Sequence, residues 1–234
     1  MKQAPKVVLF DIDGTLLLSD RAGRRSMELA LEAVFGRRGP TDYNSGGKTD
    51  KLIVRETMRL EGFDDATIDA RMPEVMDRYL TGLRALLDDG VHRARTLPGV
   101  TALLTAIEAR DGLVLGLLTG NVVEGAAVKL RAVKVDHARF KVAAYGSDHE
   151  DRPMLPPIAR ERASALLGYE VRGEQLVIIG DTPADMTCGL SVGARAIGVA
   201  TGGFTAAELE AHEPRAVFAD LSDTTRVLEA ILDA

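Results

Sequence analysis

Two short apolar runs, each followed by a pair of aspartates, constrain the fold of this chain most. The runs are residues 7–10 and 176–179, and the aspartates that follow them are Asp11, Asp13, Asp181 and Asp185. A short apolar run that ends abruptly in polar residues is typical of a buried parallel strand that opens into a loop. Ligands bind at the carboxyl ends of such strands. The pattern therefore predicts four carboxylates gathered at one edge of a parallel sheet.

Carboxylates that gather in one place repel one another unless a cation lies between them. A hard divalent ion such as Mg²⁺ takes oxygen ligands and keeps some of its own waters, so it suits such a cluster. A carboxylate beside this ion can hold it or attack an electrophile, and a phosphoryl group is a suitable electrophile. Asp11 ends its predicted strand and is placed for both roles. Asp13, two residues later, can exchange a proton with a leaving oxygen and with water.

The composition excludes several classes of protein. The chain has 234 residues, of which 46% are hydrophobic, and a net charge of -6. This net negative charge argues against nucleic acid as a partner, because binding of nucleic acid requires a basic surface. No apolar stretch approaches the roughly 18 residues of a membrane span, and the N-terminal apolar run is too short for a signal peptide. We therefore expect a cytoplasmic protein without a membrane partner, and we expect its single cysteine, Cys188, to be a core residue.

Two kinds of hydrophobic pattern divide the chain. From about residue 20 to residue 89, apolar residues recur at helical spacing, with a break rich in Gly, Pro, Asn and Ser at 36–47. After residue 97, strands and helices alternate, which indicates a parallel sheet covered on both faces. We predict an α/β protein with a Rossmann-like core domain, residues 1–18 and 94–234, and an inserted all-helical cap domain, residues 19–93. Because the insert follows the first strand, we expect it to form a lid over the active end of the sheet.

A third polar segment follows the strand predicted at residues 113–118. Thr119, Gly120 and Asn121 offer a hydroxyl, a glycine amide and a side-chain amide at the start of a helix. Such a set can cradle a phosphate group. An equal and compatible interpretation is that Asn121 caps the helix.

The three polar segments together resemble the motifs of one family. They are DIDGT at 11–15, LLTGN at 117–121 and GDTPAD at 180–185, and in this order and spacing they resemble the haloacid dehalogenase superfamily. The helical insert after the first motif is similar to the cap of the phosphoglycolate-phosphatase-like branch, so the resemblance covers nearly the whole chain. It implies a Mg²⁺-dependent phosphatase that acts on a small phosphorylated metabolite.

The resemblance also implies a role for each matched residue. Asp11 is the nucleophile that becomes a phosphoaspartate, and Asp13 is the general acid and base. The metal ligands are Asp11, the backbone carbonyl of Asp13, Asp181, and Asp185 directly or through water. The phosphoryl group is bound by Thr119, Gly120 and Asn121.

The chain departs from the family pattern at a basic residue. The family commonly has a lysine followed by proline after the second motif, and here Arg152 precedes Pro153. We assign to Arg152 the role of holding Asp11 and the phosphoryl group. The exchange is not neutral, because arginine offers a planar fork of donors where lysine offers a point charge. The alternative is that Arg152 is a solvated loop residue and that Lys129 or Lys141 takes this role.

Lys48 is a candidate substrate contact in the insert, within the segment GGKTD at 46–50. A P-loop is rejected, because that motif requires a further glycine where Asp42 stands and a strand before it. In relatives with a cap this loop faces the active site, so Lys48 is expected to contact the non-reacting end of the substrate. A lysine that merely precedes a helix is the alternative.

Three other activities share parts of this pattern. A haloacid dehalogenase lacks the second aspartate of the first motif, so Asp13 argues against it. A phosphosugar mutase uses the same core and is excluded less firmly. A non-catalytic protein that binds a phosphorylated ligand needs neither Asp11 nor Asp13, and both are present. The sequence indicates neither the physiological phosphoester nor the oligomeric state.

Overall fold

The computed structural model describes residues 4–234 and is built around a parallel sheet. The strands are β1 (Lys6–Phe10), β2 (Leu17–Leu18), β3 (Arg95–Thr96), β4 (Leu113–Thr119), β5 (Val142–Tyr145), β6 (Leu176–Gly180), β7 (Arg195–Val199) and β8 (Ala216–Phe218). The helices are α1 (Ala22–Phe35), α2 (Asp50–Leu60), α3 (Asp65–Asp88), α4 (Val100–Glu108), α5 (Val123–Ala132), α6 (Leu155–Leu167), α7 (Pro183–Thr187), α8 (Ala206–Glu210) and α9 (Thr224–Asp233).

Six strands form the main sheet in the order β5-β4-β1-β6-β7-β8, and all neighbouring pairs are parallel. β1 lies in the middle, with Phe10 in register with Leu117 of β4 and Ile179 of β6. The carboxyl ends of these three strands therefore lie side by side. The prediction of an α/β fold with a Rossmann-like parallel sheet is confirmed.

Hydrophobic cores cover both faces of the sheet, and the four apolar residues of β1, Val7 to Phe10, contribute to both. Val8 and Phe10 belong to one hydrophobic core with α4 and α9, whereas Val7 and Leu9 belong to another with α6. This division follows from the alternation of side chains along a strand. Cys188 lies in the second core and is buried, so its prediction as a core residue is confirmed.

The segment between β2 and β3, which is the insert, forms three helices, α1 to α3. The predicted helical character of the insert is therefore confirmed. They enclose a hydrophobic core of their own that includes Met27, Met58, Val75 and Leu83. The side chain of Thr49 caps α2 by accepting a hydrogen bond from the backbone of Leu52. The exact division into residues 1–18 with 94–234 and residues 19–93 remains a proposal.

A pair of strands that the apolar pattern does not predict joins the insert to the sheet domain. β2 and β3 run antiparallel, with Leu17 opposite Thr96 and Leu18 opposite Arg95. Each has only two residues, which is too short for an alternating pattern to be visible in sequence. They hold the outgoing and the returning chain together below the insert. Within residues 4–234, no helix combines the length and the apolar character that a membrane crossing requires.

Candidate active site

Three aspartates converge at the carboxyl end of the central strands. One carboxylate oxygen each of Asp11, Asp181 and Asp185 lies within 4.8 Å of the others, and all three residues are buried. Asp11 directly follows β1, and its backbone N–H donates to Ile179 of β6 at 2.9 Å. The sheet register therefore brings together the carboxylates of Asp11 and Asp181, which are 170 residues apart in the chain. The carboxylate of Asp13 instead pairs with Lys129.

The three converging carboxylates differ in how many of their oxygens are already bound. Asp185 Oδ2 accepts from the backbone N–H and the hydroxyl of Thr182, at 3.0 and 2.6 Å, and its Oδ1 accepts from Arg152. Asp181 Oδ1 accepts from the hydroxyl of Thr15 at 3.1 Å. Asp11 Oδ1 is buried and accepts no hydrogen bond from the described residues. Asp11 and Asp181 are thus the carboxylates with oxygens free for a cation.

Burial and mutual repulsion make this cluster unfavourable as three anions. Burial raises the pKa of Asp11 to about 6, with Arg152 opposing the shift and with Asp185 and Asp13 adding to it. Burial together with the charges of Asp185 and Asp11 raises the pKa of Asp181 to about 8. Each shift reports a carboxylate that lacks sufficient positive charge nearby. A hard divalent cation with oxygen ligands would supply that charge, so the residues fit such an ion.

Two glycines allow loops to close over Asp181. A Cβ atom at Gly14, whose φ is +82°, would lie 2.2 Å from Oδ2 of Asp181. A Cβ atom at Gly202, in the loop after β7, would lie 1.7 Å from the same oxygen. Neither distance is possible for a real Cβ atom, so a larger residue at either position would force Asp181 to move. Sequence reasoning missed Gly202, although the pair of glycines at 202–203 shortly after a strand was the available signal.

Arg152 lies inside the site. Its side chain is buried, Nη2 contacts Asp185 Oδ1 and lies 3.6 Å from Asp11 Oδ1, and Nη1 donates to the backbone carbonyl of Gly47 at 3.3 Å. Burial alone would lower the pKa of the guanidinium, but the charges of Asp185 and Asp11 raise it, so Arg152 remains a cation. The alternative that Arg152 is a solvated loop residue is wrong.

Lys129 is a second buried cation in the site. From α5, its Nζ reaches Asp13 Oδ2 at 2.5 Å and Asn121 Oδ1 at 2.6 Å. Lys141 is exposed and donates to the backbone carbonyl of Ala138 at 2.7 Å, away from these groups. Sequence reasoning considered Lys129 only as a substitute for Arg152. Its place in the helix that directly follows the second motif was the available signal.

The second motif lies between Asp13 and the start of α5. Asn121 Nδ2 donates to Asp13 Oδ2 at 2.9 Å and to the hydroxyl of Thr119 at 2.8 Å. Thr119 ends β4 and is fully buried. Val122, not Asn121, occupies the N-cap position of α5, so the capping interpretation of Asn121 is wrong. The amide of Asn121 instead links Asp13, Thr119 and Lys129 into one network.

The insert supplies the opposite wall of the site, including Lys48. The ammonium of Lys48 contacts Glu56 Oε2 at 2.5 Å and the hydroxyl of Tyr43 at 3.2 Å, and it lies 4.5 Å from the centre of the Tyr43 ring. Lys48 precedes the N-cap residue of α2, as both interpretations of it require. It also lines the cavity between insert and sheet.

That cavity has a volume of about 480 Å³. Its floor contains the groups described above, among them Asp11, Asp13, Asn121, Arg152 and Asp181. Its wall on the insert side combines apolar and aromatic side chains with charged ones, among them Met27, Leu31, Tyr43 and Ile53 and also Arg24, Arg38 and Lys48. The cavity therefore presents charged groups from both the sheet domain and the insert, together with apolar side chains from the insert.

Comparisons with known proteins identify the family to which the sequence is similar. Residues 8–189 match the sequence model of haloacid dehalogenase-like hydrolases, and residues 156–224 match a second model of HAD-hydrolase-like proteins. A 5'-nucleotidase of Pseudomonas aeruginosa is 30% identical over 225 residues, which cover 95% of each chain.

Solved structures share the fold over nearly their full length. A hydrolase from Pseudomonas syringae superimposes with a TM-score of 0.73 at 22% identity, over 96% of this chain and 98% of that one. A predicted phosphoglycolate phosphatase from Haemophilus somnus superimposes with a TM-score of 0.68 at 18% identity, over 97% and 100% of the two chains.

Proposed function

The chain belongs to the haloacid dehalogenase-like hydrolase family as an enzyme of the phosphoric monoester hydrolase type, and on this basis we propose that it cleaves a small phosphomonoester with Mg²⁺ through a phosphoaspartate at Asp11. One observation carries the proposal. Asp11 Oδ1 is buried and without a hydrogen-bond partner among residues 4–234, between the carboxylate of Asp181 and the guanidinium of Arg152. An unpartnered buried carboxylate oxygen is costly unless a ligand or a reaction uses it.

The first half of the reaction transfers the phosphoryl group to the protein. An oxygen of Asp11 forms a bond to phosphorus, and the bond between phosphorus and the ester oxygen breaks. The leaving oxygen takes the electron pair of that bond and receives a proton from Asp13. Asp13 suits this role because its side chain is 40% exposed and lines the cavity that holds the substrate.

The second half releases phosphate and restores the enzyme. Asp13, now deprotonated, takes a proton from a water molecule, whose oxygen forms a new bond to phosphorus. The bond between phosphorus and Asp11 breaks, and the carboxylate regains its electron pair. Inorganic phosphate then leaves, and Asp13 again carries the proton.

Asp11 and Asp181 would hold the metal ion directly, together with the backbone carbonyl that the family resemblance assigns to Asp13. Asp185 has both oxygens engaged by Thr182 and Arg152, so we propose that it acts through water and as the anchor of Arg152. When bound, Mg²⁺ supplies charge neutralisation for two anions that must approach each other.

The phosphoryl oxygens would be held by the second motif and by Arg152. Thr119 and Asn121 present a hydroxyl and an amide beside Asp13, and Gly120 offers its backbone N–H. Arg152 points its guanidinium at Asp11 from the other side. Such preorganised donors are strong in a site that excludes water, because they need not reorient during the reaction.

The cavity favours a substrate with a sizeable body. A volume of about 480 Å³ lies within the range of pockets for drug-sized ligands, and phosphoglycolate would leave much of it unfilled. Tyr43, Met27 and Ile53 offer apolar and aromatic contacts to a ring. Nucleoside 5'-monophosphates are therefore the first substrate class to test, as the relative named a 5'-nucleotidase also suggests. Phosphoglycolate is the second.

The test is release of inorganic phosphate from these compounds and from 4-nitrophenyl phosphate, with Mg²⁺ and with a chelator. We expect turnover that Mg²⁺ restores after chelation and that Asp11→Asn abolishes. Full turnover in excess chelator would contradict the metal proposal. A phosphosugar isomer formed without release of phosphate would favour the mutase. Binding of phosphorylated compounds without turnover would favour the non-catalytic alternative.

A further inference from the structure

We propose that Lys129 is the positioning residue of Asp13, and that it turns one oxygen of this carboxylate away from the proton exchange so that the other performs it. The inference rests on the proposed function, in which Asp13 is the acid and base. Lys129 acts through Asp13 and does not itself touch the reacting atoms.

Two donors converge on one oxygen of Asp13. Lys129 Nζ lies 2.5 Å and Asn121 Nδ2 lies 2.9 Å from Oδ2. Neither group donates to Oδ1. The Asp13 side chain is 40% exposed, whereas that of Lys129 is only 5% exposed, so the buried partner fixes the accessible one. With Oδ2 occupied twice, Oδ1 is the oxygen that remains to carry the proton.

Lys129 is itself held tightly in place. Its Nζ also donates to Asn121 Oδ1 at 2.6 Å, so lysine, amide and carboxylate close a three-membered network. On the insert side, α1 passes over the ammonium at Gly23, where a Cβ atom would lie 3.2 Å from Nζ. These contacts hold the long and otherwise flexible side chain of Lys129 in one position.

The buried ammonium is balanced by charges from both parts of the protein. Burial alone would lower its pKa, but Asp13, followed by Tyr79 and Asp50, raises the pKa above the ordinary value for lysine. Asp50 begins α2 and is tied to the second motif, because Val122 N–H donates to its Oδ2 and its own N–H donates to the carbonyl of Gly120, both at 2.8 Å. Lys129 therefore lies where the insert meets the sheet domain.

The two buried cations serve different carboxylates. Arg152 faces Asp11 and Asp185, whereas Lys129 faces Asp13. No ion pair among the described residues joins Lys129 to Asp11. Loss of Lys129 should therefore weaken acid catalysis, and loss of Arg152 should weaken phosphoryl binding and nucleophilic attack.

A comparison of leaving groups tests this assignment. An alkoxide leaving group needs a proton in the transition state, whereas 4-nitrophenolate leaves readily without one. For Lys129→Met, we expect kcat/KM for glycerol 2-phosphate to fall by about 10²-fold, and that for 4-nitrophenyl phosphate by less than about fivefold. Lys129→Gln keeps a neutral donor on a side chain one bond shorter. It should therefore show a smaller loss, again greater for glycerol 2-phosphate than for 4-nitrophenyl phosphate. Lys141→Met is the matched control and should behave as wild type, with melting temperatures measured for all variants.

The outcomes separate this inference from the function on which it rests. If Asp13→Asn shows the selective loss and Lys129→Met shows equal losses on both substrates, the positioning role is wrong while the acid role stands. If Asp13→Asn itself shows no selectivity, the proposed role of Asp13 fails first. The double variant should be little worse than Asp13→Asn alone, because residues that act as one unit are not additive. Full additivity of the two substitutions would overturn the inference. If Lys129→Met does not fold, Lys129→Gln takes its place in the test, and equal losses on both substrates in that variant would also overturn the inference.

Discussion

Nη2 of Arg152 lies 3.6 Å from Oδ1 of Asp11, a buried oxygen that accepts no hydrogen bond from residues 4–234. The guanidinium is anchored in this position by Asp185. The incoming phosphoryl group must enter beside this pair. We therefore propose that Arg152 screens the repulsion between Asp11 and an incoming phosphoryl group, as the family's lysine would.

We predict that Arg152→Ala lowers kcat/KM by about 10²-fold or more, the usual cost of removing one preorganised donor. Arg152→Lys should recover part of the loss, because it restores the charge but not the planar fork. Arg139→Ala, which removes a partly exposed arginine paired with Glu108, is the control and should stay close to wild type. Near-normal kcat/KM in Arg152→Ala would remove Arg152 from the site.

The two adjacent glycines near Asp181 allow a matched test of the metal site. Gly202→Ala places a methyl group where Asp181 Oδ2 lies, at 1.7 Å, whereas a Cβ atom at Gly203 meets nothing within 4 Å. We expect Gly202→Ala to weaken Mg²⁺ activation at least about tenfold, because Asp181 must move. Gly203→Ala should remain within about twofold of wild type. Equal Mg²⁺ requirements in the two variants would show that the position of Asp181 is unimportant for metal binding.

Metal binding should depend on pH in a defined direction. Burial raises the pKa of Asp11 to about 6 and that of Asp181 to about 8, above their values in the unfolded chain. A raised carboxyl pKa contributes stability at low pH that is lost as pH rises through the folded-state value. The metal-free protein should therefore lose stability as pH rises from about 4, where these groups ionise in the unfolded chain, to about 8, where Asp181 has ionised in the folded protein. Mg²⁺, which binds the ionised groups, should restore that stability.

Thermal denaturation measures this effect. The rise in melting temperature on addition of Mg²⁺ should be small at about pH 5 and clearly larger at about pH 8. Asp181→Asn, which removes the group with the higher pKa, should reduce the difference between the two pH values. A rise that is the same at both would contradict the assignment of these carboxylates as ligands.

Lys48 should affect substrate binding more than chemistry. It lies on the insert wall of the cavity, paired with Glu56, and does not contact the reacting groups. We expect Lys48→Met to raise KM for a nucleoside 5'-monophosphate about 5- to 10-fold and to leave kcat little changed. The reason is that Lys48 would bind the substrate equally well in the ground state and in the transition state. Lys51→Met, which removes a nearby lysine bound to the carbonyl of Ser147, is the control. A fall in kcat without a change in KM would place Lys48 nearer the chemistry than we propose.

The strands that carry the site could be predicted from sequence because their signal is local. β1 and β6 each contain four consecutive apolar residues, 7–10 and 176–179, shortly before the polar loop, so their ends, and with them Asp11 and Asp181, were visible without a structure. β2 and β3 were not visible, because two residues are too few for any periodicity. The topology of parallel strands predicted four carboxylates at this edge, of which Asp11, Asp181 and Asp185 converge, whereas that of Asp13 pairs with Lys129.

The features that were missed depend on contacts between distant segments. Asn121 has the sequence of a helix cap, but Asp13 and Lys129 engage its amide instead. The burial of Lys129 requires the insert to close over α5, which no local pattern reports. Gly202 matters only because its loop, which follows β7, approaches Asp181 closely.

The central claim is that Asp11 becomes phosphorylated during turnover, and its most direct test is mass spectrometry of the enzyme quenched in acid during steady-state hydrolysis of 4-nitrophenyl phosphate. We predict one added phosphoryl group on the peptide that contains Asp11, its disappearance once substrate is exhausted, and its absence in a folded Asp11→Asn variant that no longer turns over. Turnover by Asp11→Asn at the wild-type rate, or a phosphoryl group found on another residue, would contradict the account.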